Sequence, residues 1–571
     1  MRNPITRVKK IAALIMCLLL VAAAAGCNGD GTTPPVEGGT PAQEAPAGGT
    51  VTLSGVEFST DPVTLTAYID WPHSGEGYGW GQDMVSQWIT ETVGVTIDAT
   101  HATTATGEEL NLMLASGEKL PDLIVTNGFG TIVNNLIRQG YVLPLDEVAK
   151  EYFPAFLDLL PGGLYEVFQE DDGHLYRTAD WFADSERILE LVNSREDKAI
   201  SGGDQTLCLN KKYYEQMGSP EINTLDDLRQ YLLDCREKFP EVTSPFMPMR
   251  LMWDQATDTI NFIYRCYGGQ SWLWDDGSNT LQLCLRDPRY KEAMRFLNTL
   301  YQDGSLTDTT LGMSTEDQWT ALETANLFAY VGQDWEWFSK IVGGSELSGP
   351  VLPVLAPMAE GVSRDDLKLR YNDIANLGGN TAVFISKDSE NVARAIEYLA
   401  FEYSDEAALN NRFGLEGVAF EYVEDGGVRW MQSLLDYQNE FGWSEMSKKY
   451  GPNNQTHSWF TTGYSMAMES PTGIYPVKLY NANLVAPYLK NERLFDLSKT
   501  IKDDDVRMKY DQFMQLTGEA QIAIITADDD AEFEAEFANF VSQAEALDIK
   551  SLEDYYTANY IKWQGRGFTA E

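Results

Sequence analysis

The chain has 571 residues, with 42 basic against 86 acidic side chains and a formal net charge of -44. That length exceeds what one hydrophobic core supports, so two or more domains are expected. No basic patch stands out, which argues against nucleic acid as a partner, and an anionic ligand would have to overcome the field; the plainer reading of the acidity is solubility on an exposed surface.

The N-terminus comes first. Arg2, Arg7, Lys9 and Lys10 are followed by an uncharged apolar run from Ile11 to Ala25. The run falls short of the ~20 helical residues that a bilayer core requires. It fits the apolar part of an export signal over residues 1–26, which is removed and lies outside the fold. Ala24-Ala25-Gly26-Cys27 resembles the lipobox of bacterial lipoproteins. The resemblance implies that Cys27 is diacylated and becomes the mature N-terminus, on the outer face of the cell membrane. Two acyl chains suffice for stable attachment. Residues 27–50 are rich in Gly, Pro, Thr and Ala and lack aromatics, so they read as a flexible tether. No other stretch is long and apolar enough to cross a membrane.

The folded body is expected to open with an alternating strand, Val63–Ile69. A helix over Trp80–Thr92, a strand over Val93–Ile97 and a helix over Glu108–Leu114 follow. A short strand, Leu123–Val125, and a helix, Ile132–Gln139, complete this stretch. Such alternation argues for an α/β lobe with a mostly parallel sheet. After the turn at Asp172-Gly173, strands are expected at His174–Ala179 and Thr206–Leu209, separated by a polar insertion from Asp184 to Gly203. Thr224 is placed to cap a helix with Asp227 three residues on, and Pro240 prevents its continuation. Tyr290 to Gln302 carries Tyr290, Met294, Leu297 and Tyr301 at the helical period, with Gly304 as its stop. Strands are expected at Leu327–Val331 and Thr381–Ile385. A helix over Asn391–Tyr403 should have Ser389 as its N-cap. The chain from Arg493 onward reads as charged and helical.

Cys17 lies in the signal, which leaves Cys208, Cys235, Cys266 and Cys284 beside Cys27. Four cysteines allow three pairings, and the sequence does not choose among them. No CxxC pair exists and His is scarce, so no zinc site and no cofactor is expected. Cys235 shares an apolar helix face with Leu228, Tyr231 and Leu232, where a buried thiol is the default. Asp503-Asp504-Asp505 and Asp528-Asp529-Asp530 lack the spaced ligand pattern of an EF-hand and read as solvated helix ends.

Several segments in order resemble the extracellular solute-binding proteins of ABC importers, in the large Gram-positive lipoprotein branch similar to the maltose-binding type. They are Leu120-Pro121-Asp122-Leu123-Ile124, Gly140-Tyr141-Val142-Leu143-Pro144-Leu145, Asp172-Gly173-His174-Leu175-Tyr176 and Leu209-Asn210-Lys211-Lys212. Gln333-Asp334-Trp335-Glu336-Trp337, Phe413-Gly414-Leu415-Glu416-Gly417 and the acidic helix from Asp528 to Phe540 complete the series. Arg177-Thr178-Ala179 departs from the aromatic-small-Pro end usual after the third segment. The resemblance implies a two-lobed, periplasmic-binding-protein-like (type II) α/β fold with a hinge and an interlobe ligand cleft. One lobe would comprise roughly residues 60–180 plus 370–440, and the other roughly 185–350 plus 450–565.

Sugar rings offer flat CH faces and rings of hydroxyls, so a site for them wants aromatic platforms beside carboxylates and amides. Trp335 with Asp334 matches the cleft-facing tryptophan of the resembled proteins. Trp337 shares the face of Trp335 if the segment is extended, and is core material otherwise. Trp181, with Asp180, follows the third segment at a hinge. Trp71 and Asn127 follow strands, and strand C-termini are where open α/β sheets bind ligands. Trp253 and Trp459 are expected in the wall of the second lobe. The expected function is capture of a carbohydrate, an oligosaccharide in this reading, for an ABC permease by a monomeric, non-catalytic, membrane-anchored protein. The alternatives are a surface-anchored enzyme acting on glycosides and a binding protein for a non-sugar solute such as a peptide.

Overall fold

The computed structural model describes residues 48–72, 79–104, 107–127, 130–160, 164–179, 206–248, 259–275, 277–314, 317–318, 320–321, 324, 326–332, 351–370, 381–424, 427–452, 454, 468, 480–481, 484–490 and 501–564. The fold opens earlier than the sequence suggests. An antiparallel hairpin, Thr50–Leu53 with Val56–Ser59, precedes the first long strand, and Phe58 from it is fully buried.

The first sheet is built from β1 (Val63–Ile69), β2 (Val95–His101), β3 (Leu123–Asn127), β4 (Thr178–Ala179) and β9 (Thr381–Ile385), in the order β2-β1-β3-β9-β4. β1 runs parallel to β2 and β3, while β9 returns antiparallel to both β3 and β4. Its connections include α1 (Met84–Val93), α2 (Glu108–Ser116), α3 (Thr131–Arg138) and α4 (Leu145–Tyr152). β1 matches the alternating run, and its inward positions Leu65, Ala67 and Ile69 are buried. The first helix starts at Met84 because Asp83, itself fully buried, accepts the Ser86 N–H and so fixes the N-cap. The expected strand His174–Ala179 shrinks to Thr178–Ala179 plus a single bridge from Leu175 to Gln169.

The second sheet has β5 (Thr206–Asn210), β6 (Phe246–Pro248), β7 (Ala329–Gly332) and β8 (Val351–Val354), in the order β8-β5-β7-β6. β5 pairs antiparallel with both neighbours, and β7 runs parallel to β6. Every residue of β5, β6 and β7 is buried. Helices α5 (Leu225–Lys238), α6 (Thr259–Cys266) and α7 (Pro288–Gln302) belong to this half. Thr224 and Asp227 close the capping box on α5 as the sequence requires. Gly304 adopts the left-handed φ of +74° that ends α7.

After β9 come α8 (Val392–Glu402) and α9 (Asp405–Phe413). Asn391, not Ser389, occupies the N-cap of α8. Ser389 lies two residues earlier, where its hydroxyl accepts the Asn391 N–H and donates to Asp122. The C-terminal stretch is helical: α10 (Asp504–Ile525), α11 (Asp530–Ala546) and α12 (Ile549–Gln564). Asp503 and Asp529 cap α10 and α11 through their carboxylates, so both acidic triplets serve as helix starts. α10 packs on α7, where the Asn298 amide donates to the Ile525 and Ala527 carbonyls at 2.9 Å each.

Cys208, Cys235, Cys266 and Cys284 are all buried thiols, and none forms a disulfide. Burial pushes the Cys235 thiol up to about 11 and raises that of Cys266 further. Among the described residues no helix is long and apolar enough to cross a membrane.

Candidate functional site

Three parallel strands end together at one edge of the first sheet. Ile69 of β1 stands opposite His101 of β2 and beside Val125 of β3, and Asn127 at the end of β3 faces Thr381 at the start of β9. The Asp70 N–H donates to the Val125 carbonyl at 2.9 Å, and the Ala102 N–H to the Ile69 carbonyl at 2.8 Å. These bonds hold the outgoing chain in place one residue past each strand. The edge therefore presents Trp71, His101, Asn127 and Thr381 as neighbours, the arrangement in which open α/β sheets take ligands.

Asp70 lies beneath this edge, 2% exposed. Its Oδ2 accepts the Thr126 hydroxyl at 2.8 Å, and its Oδ1 accepts the Tyr68 hydroxyl at 3.4 Å. Burial pushes the Asp70 carboxyl above the ordinary carboxylate range, the two hydroxyl donors oppose that, and the nearby Glu109 charge adds to it. Burial first, and then the charge of Asp70, drives the Tyr68 phenol well up. The loop over Asp70 turns at Gly107, whose φ of +71° is open to glycine at little cost. Glu109 ties that loop down by accepting the Thr103 N–H at 3.0 Å and the Thr103 hydroxyl. His101 Nδ1 lies 3.3 Å from the Trp71 carbonyl. Trp71 is half-buried, packed on one side against the main core, and Asn127 is exposed. The edge thus offers an aromatic surface and an amide over a buried carboxylate, while the His101 ring is turned inward, with Nδ1 at the Trp71 carbonyl and Nε2 buried.

No protein-family model matches the chain, and no curated protein matches it in sequence. Solved structures do match. FusA, an ABC-transporter substrate-binding protein of S. pneumoniae in complex with kestose, superposes with a TM-score of 0.67 over 88% of this chain and 100% of its own, at 16% identity. A human-milk-oligosaccharide (HMO) binding solute-binding protein associated with an ABC transporter, from Bifidobacterium longum infantis, gives 0.60 over 87% and 98%, at 12% identity. An N-glycan transport solute-binding protein from Streptococcus pneumoniae gives 0.52 over 87% and 99%, at 16% identity. The chain has the two-lobed α/β fold of the ABC-transporter solute-binding proteins.

Of the residues singled out in the sequence, the structure brings Trp71 and Asn127 to one edge. Asp180, Trp181, Trp253, Asp334, Trp335, Trp337 and Trp459 lie outside the described residues. The described strands do give the points that several of these stretches adjoin. β4 ends at Ala179, at the same edge of the first sheet as Asn127, because Ala179 faces Ala382 next to Thr381. In the second sheet Val331 faces Pro248 and Gly332 faces Thr206, so β6 and β7 end, and β5 begins, along one edge. Asp70, Thr126 and His101 escaped the sequence reading as a group. The signal that could have found them is register: three parallel strands place the residues at their C-termini side by side.

One grouping among the described residues has the donor types of a metal site: Asp146, Glu147 and His174. Its cation is already built in. The Lys150 ammonium lies 3.0 Å from Asp146 Oδ2 and 2.8 Å from Glu147 Oε1. Asp146 also accepts the Leu175 N–H at 3.1 Å and the Tyr165 hydroxyl at 3.3 Å. Burial alone would raise the Asp146 carboxyl, but Lys150, the Leu175 N–H and His174 outweigh it and hold it below the ordinary range. The group clamps the turn at Asp172-Gly173 onto α4.

Proposed function

We propose that the protein is the ligand-capturing component of an ABC importer. It binds an oligosaccharide between two lobes and delivers it, chemically unchanged, to a membrane permease. The observation that carries this reading is the edge where β1, β2 and β3 end. There an aromatic ring and an amide sit over a carboxylate, the mixture that sugar hydroxyls and CH faces call for. The fold supports it, since structures that share it are described as bound to kestose, as binding human milk oligosaccharides and as transporting N-glycans.

In this reading the first lobe, roughly residues 60–180 plus 370–440, supplies Trp71 and Asn127. The second, roughly 185–350 plus 450–565, supplies Asp334, Trp335, Trp337, Trp253 and Trp459 as the facing wall, with Trp181 at the hinge. The lobes close over the sugar by hinge motion. Diacylated Cys27 and the tether after it hold the protein, as a monomer, at the outer face of the membrane beside the permease.

The test is a thermal-shift screen of residues 51–571 against mono- and oligosaccharides, with peptides as controls, followed by calorimetry. A ligand at 100 times its dissociation constant adds ~2.7 kcal/mol to stability. Trp71→Ala is expected to weaken binding roughly tenfold, about 1.4 kcal/mol, while leaving the ligand-free melting temperature within a few degrees. Stabilisation by peptides alone would overturn the ligand class. Steady release of reducing ends from the bound sugar would overturn the transport role.

A further inference from the structure

Two helices, Gln432–Phe441 and Trp443–Tyr450, meet in a tight corner at Gly442, whose φ of +86° lets one residue end the first and start the second. The corner touches both halves of the molecule. Leu435 of the first helix, with Trp430 just ahead of it, packs on the face of the second sheet that carries Cys208, Met247, Tyr330 and Val351. The second helix packs on α1, and Gly451 after it, at a φ of +93°, lies too close to Asp83 and Val85 to carry a side chain. Asn454 then donates to the Asp83 carboxylate at 2.9 Å. Asp83 caps α1 at the ligand end of the first sheet, because the other end of α1, at Gly94, bonds to Val63 where β1 begins. The corner therefore bridges the ligand end of the first sheet and a face of the second. The width of α1, ~10 Å, separates it from the edge at Trp71.

Among the described residues of the two helices, Phe441 is the one large apolar side chain left exposed, at 50%. Tyr437, one turn back on the same face, lies 4.6 Å from it ring to ring, and Tyr450 of the second helix stands edge-on to Tyr437 at 5.4 Å. The Lys449 ammonium is held over both tyrosine rings, 4.4 Å and 4.9 Å from their centres. Glu445 pairs with Lys448 instead. Among the described residues the Lys449 ammonium has no carboxylate or hydrogen-bond partner, although acidic side chains outnumber basic ones 86 to 42, and the Tyr437 and Tyr450 hydroxyls have none either. The corner thus carries an apolar ring face bordered by an ammonium, two phenols and, at Asn439, an exposed amide.

That composition decides among occupants. One ring is too little apolar area for a protein interface, which buries on the order of 1,000 Å². The exposed carboxylates of Asp436, Glu440 and Glu445 would repel an anionic lipid surface. A sugar ring fits: its CH face covers Phe441, and its hydroxyls accept from Lys449 and exchange hydrogen bonds with the phenols and Asn439. We infer that this corner is an outer subsite for the far rings of a long oligosaccharide, with Phe441 as its platform and Lys449 as its donor. It sets a preference for longer chains over short ones. This rests on the reading above, in which the first rings lie at Trp71 and Asn127.

The experiment is a set of calorimetric titrations of the full protein with a homologous series, from disaccharide to hexasaccharide, of the sugar that the thermal screen returns. Wild-type affinity is expected to rise with length as the added rings reach the corner. Phe441→Ala should weaken binding of the longest member roughly tenfold, and Lys449→Gln several-fold, each leaving the disaccharide within twofold of wild type. Trp71→Ala, in contrast, should weaken every member alike. Should Phe441→Ala fail to fold, Lys449→Gln carries the test. Losses equal for short and long members, or no loss at any length, would overturn the outer subsite while leaving the transport reading intact. Wild-type affinity that does not rise with length would do the same. A series in which no member binds would overturn the transport reading itself, and the outer subsite with it.

Discussion

Around the first sheet, buried carboxylates stitch strand to strand, whereas around the second the carboxylates sit at helix ends and the strands are held by apolar burial. Asp122, just before β3, accepts the Thr66 N–H of β1 at 2.9 Å and the Thr66 hydroxyl at 2.8 Å. Its other oxygen accepts the Ser389 hydroxyl at 2.6 Å, ahead of α8. Asp70, just after β1, accepts from Thr126 of β3. The two strands are thus pinned reciprocally, one carboxylate at each end. In the second sheet the polar work falls to Asn210, which caps the helix after β5, and to Thr224, Asp227 and Asp287 at the starts of α5 and α7. Pinned strands fix the relative position of their ends, which is what a preorganised binding edge requires.

The largest expected effect is at Asp122. Asp122→Ala removes the acceptor for several donors and should destabilise the fold by about 3 kcal/mol, read from urea denaturation. The pH dependence follows from the same contacts. Burial works to raise the Asp122 carboxyl, but the hydroxyl and N–H donors of Ser389 and Thr66 outweigh it and hold it below the ordinary range. Its contribution is therefore full above ~4, where an unfolded aspartate is ionised, and is lost as pH falls through the lowered folded value. Asp122→Asn should flatten that acid limb.

Glu402 on α8 runs the other way. It is fully buried, and burial pushes its carboxyl up to about 8 against the hydrogen bonds of Tyr398 and Asn411. A raised folded value means stability that is complete below ~4.5 and is lost as pH rises through 8. Wild type should lose roughly 2 kcal/mol between pH 6 and pH 8 through this group, and Glu402→Gln should abolish that loss in a melting series against pH. The smallest effect is in the second half. Thr224→Ala breaks one side of a capping box and should cost about 1 kcal/mol, and because the Thr224 hydroxyl is the main group holding the Asp227 carboxyl below its ordinary range, that cost should shrink as the pH falls into the acid limb. A loss at Thr224 as large as that at Asp122 would erase the contrast between the two halves.

Strands whose apolar pattern is self-contained were legible from the sequence: β1 and β9 have the boundaries that alternation and apolar runs assign. The capping box at Thr224 was legible because all its atoms come from one turn. What failed depended on distant partners. The stretch from His174 to Arg177 looks extended, yet it is bent onto α4 by Asp146, far back in the chain. Ser389 looks like a cap, but its hydroxyl is drawn to Asp122. The hairpin at Thr50–Ser59 was obscured by the glycine- and proline-rich composition just before it. At the site, Trp71 and Asn127 could be read as residues that follow strands. Asp70, Thr126 and His101 could not be read as a group, because their meeting is a matter of register between strands that no local pattern encodes.

The four thiols carry a practical consequence. Cys208, Cys235, Cys266 and Cys284 lie on β5, on α5, on α6 and just ahead of α7, all in the half that contains the second sheet. The stretches that build the first sheet, Val63 to Ala179 and Thr381 to Phe413, contain no cysteine at all. A maleimide dye therefore acts as a clock wired to one half of the molecule. On residues 51–571, which leave out Cys27, its rate of attachment counts openings of the second sheet and its helices and is blind to fraying of the first, so that half can be timed on its own without introducing a single label by mutation.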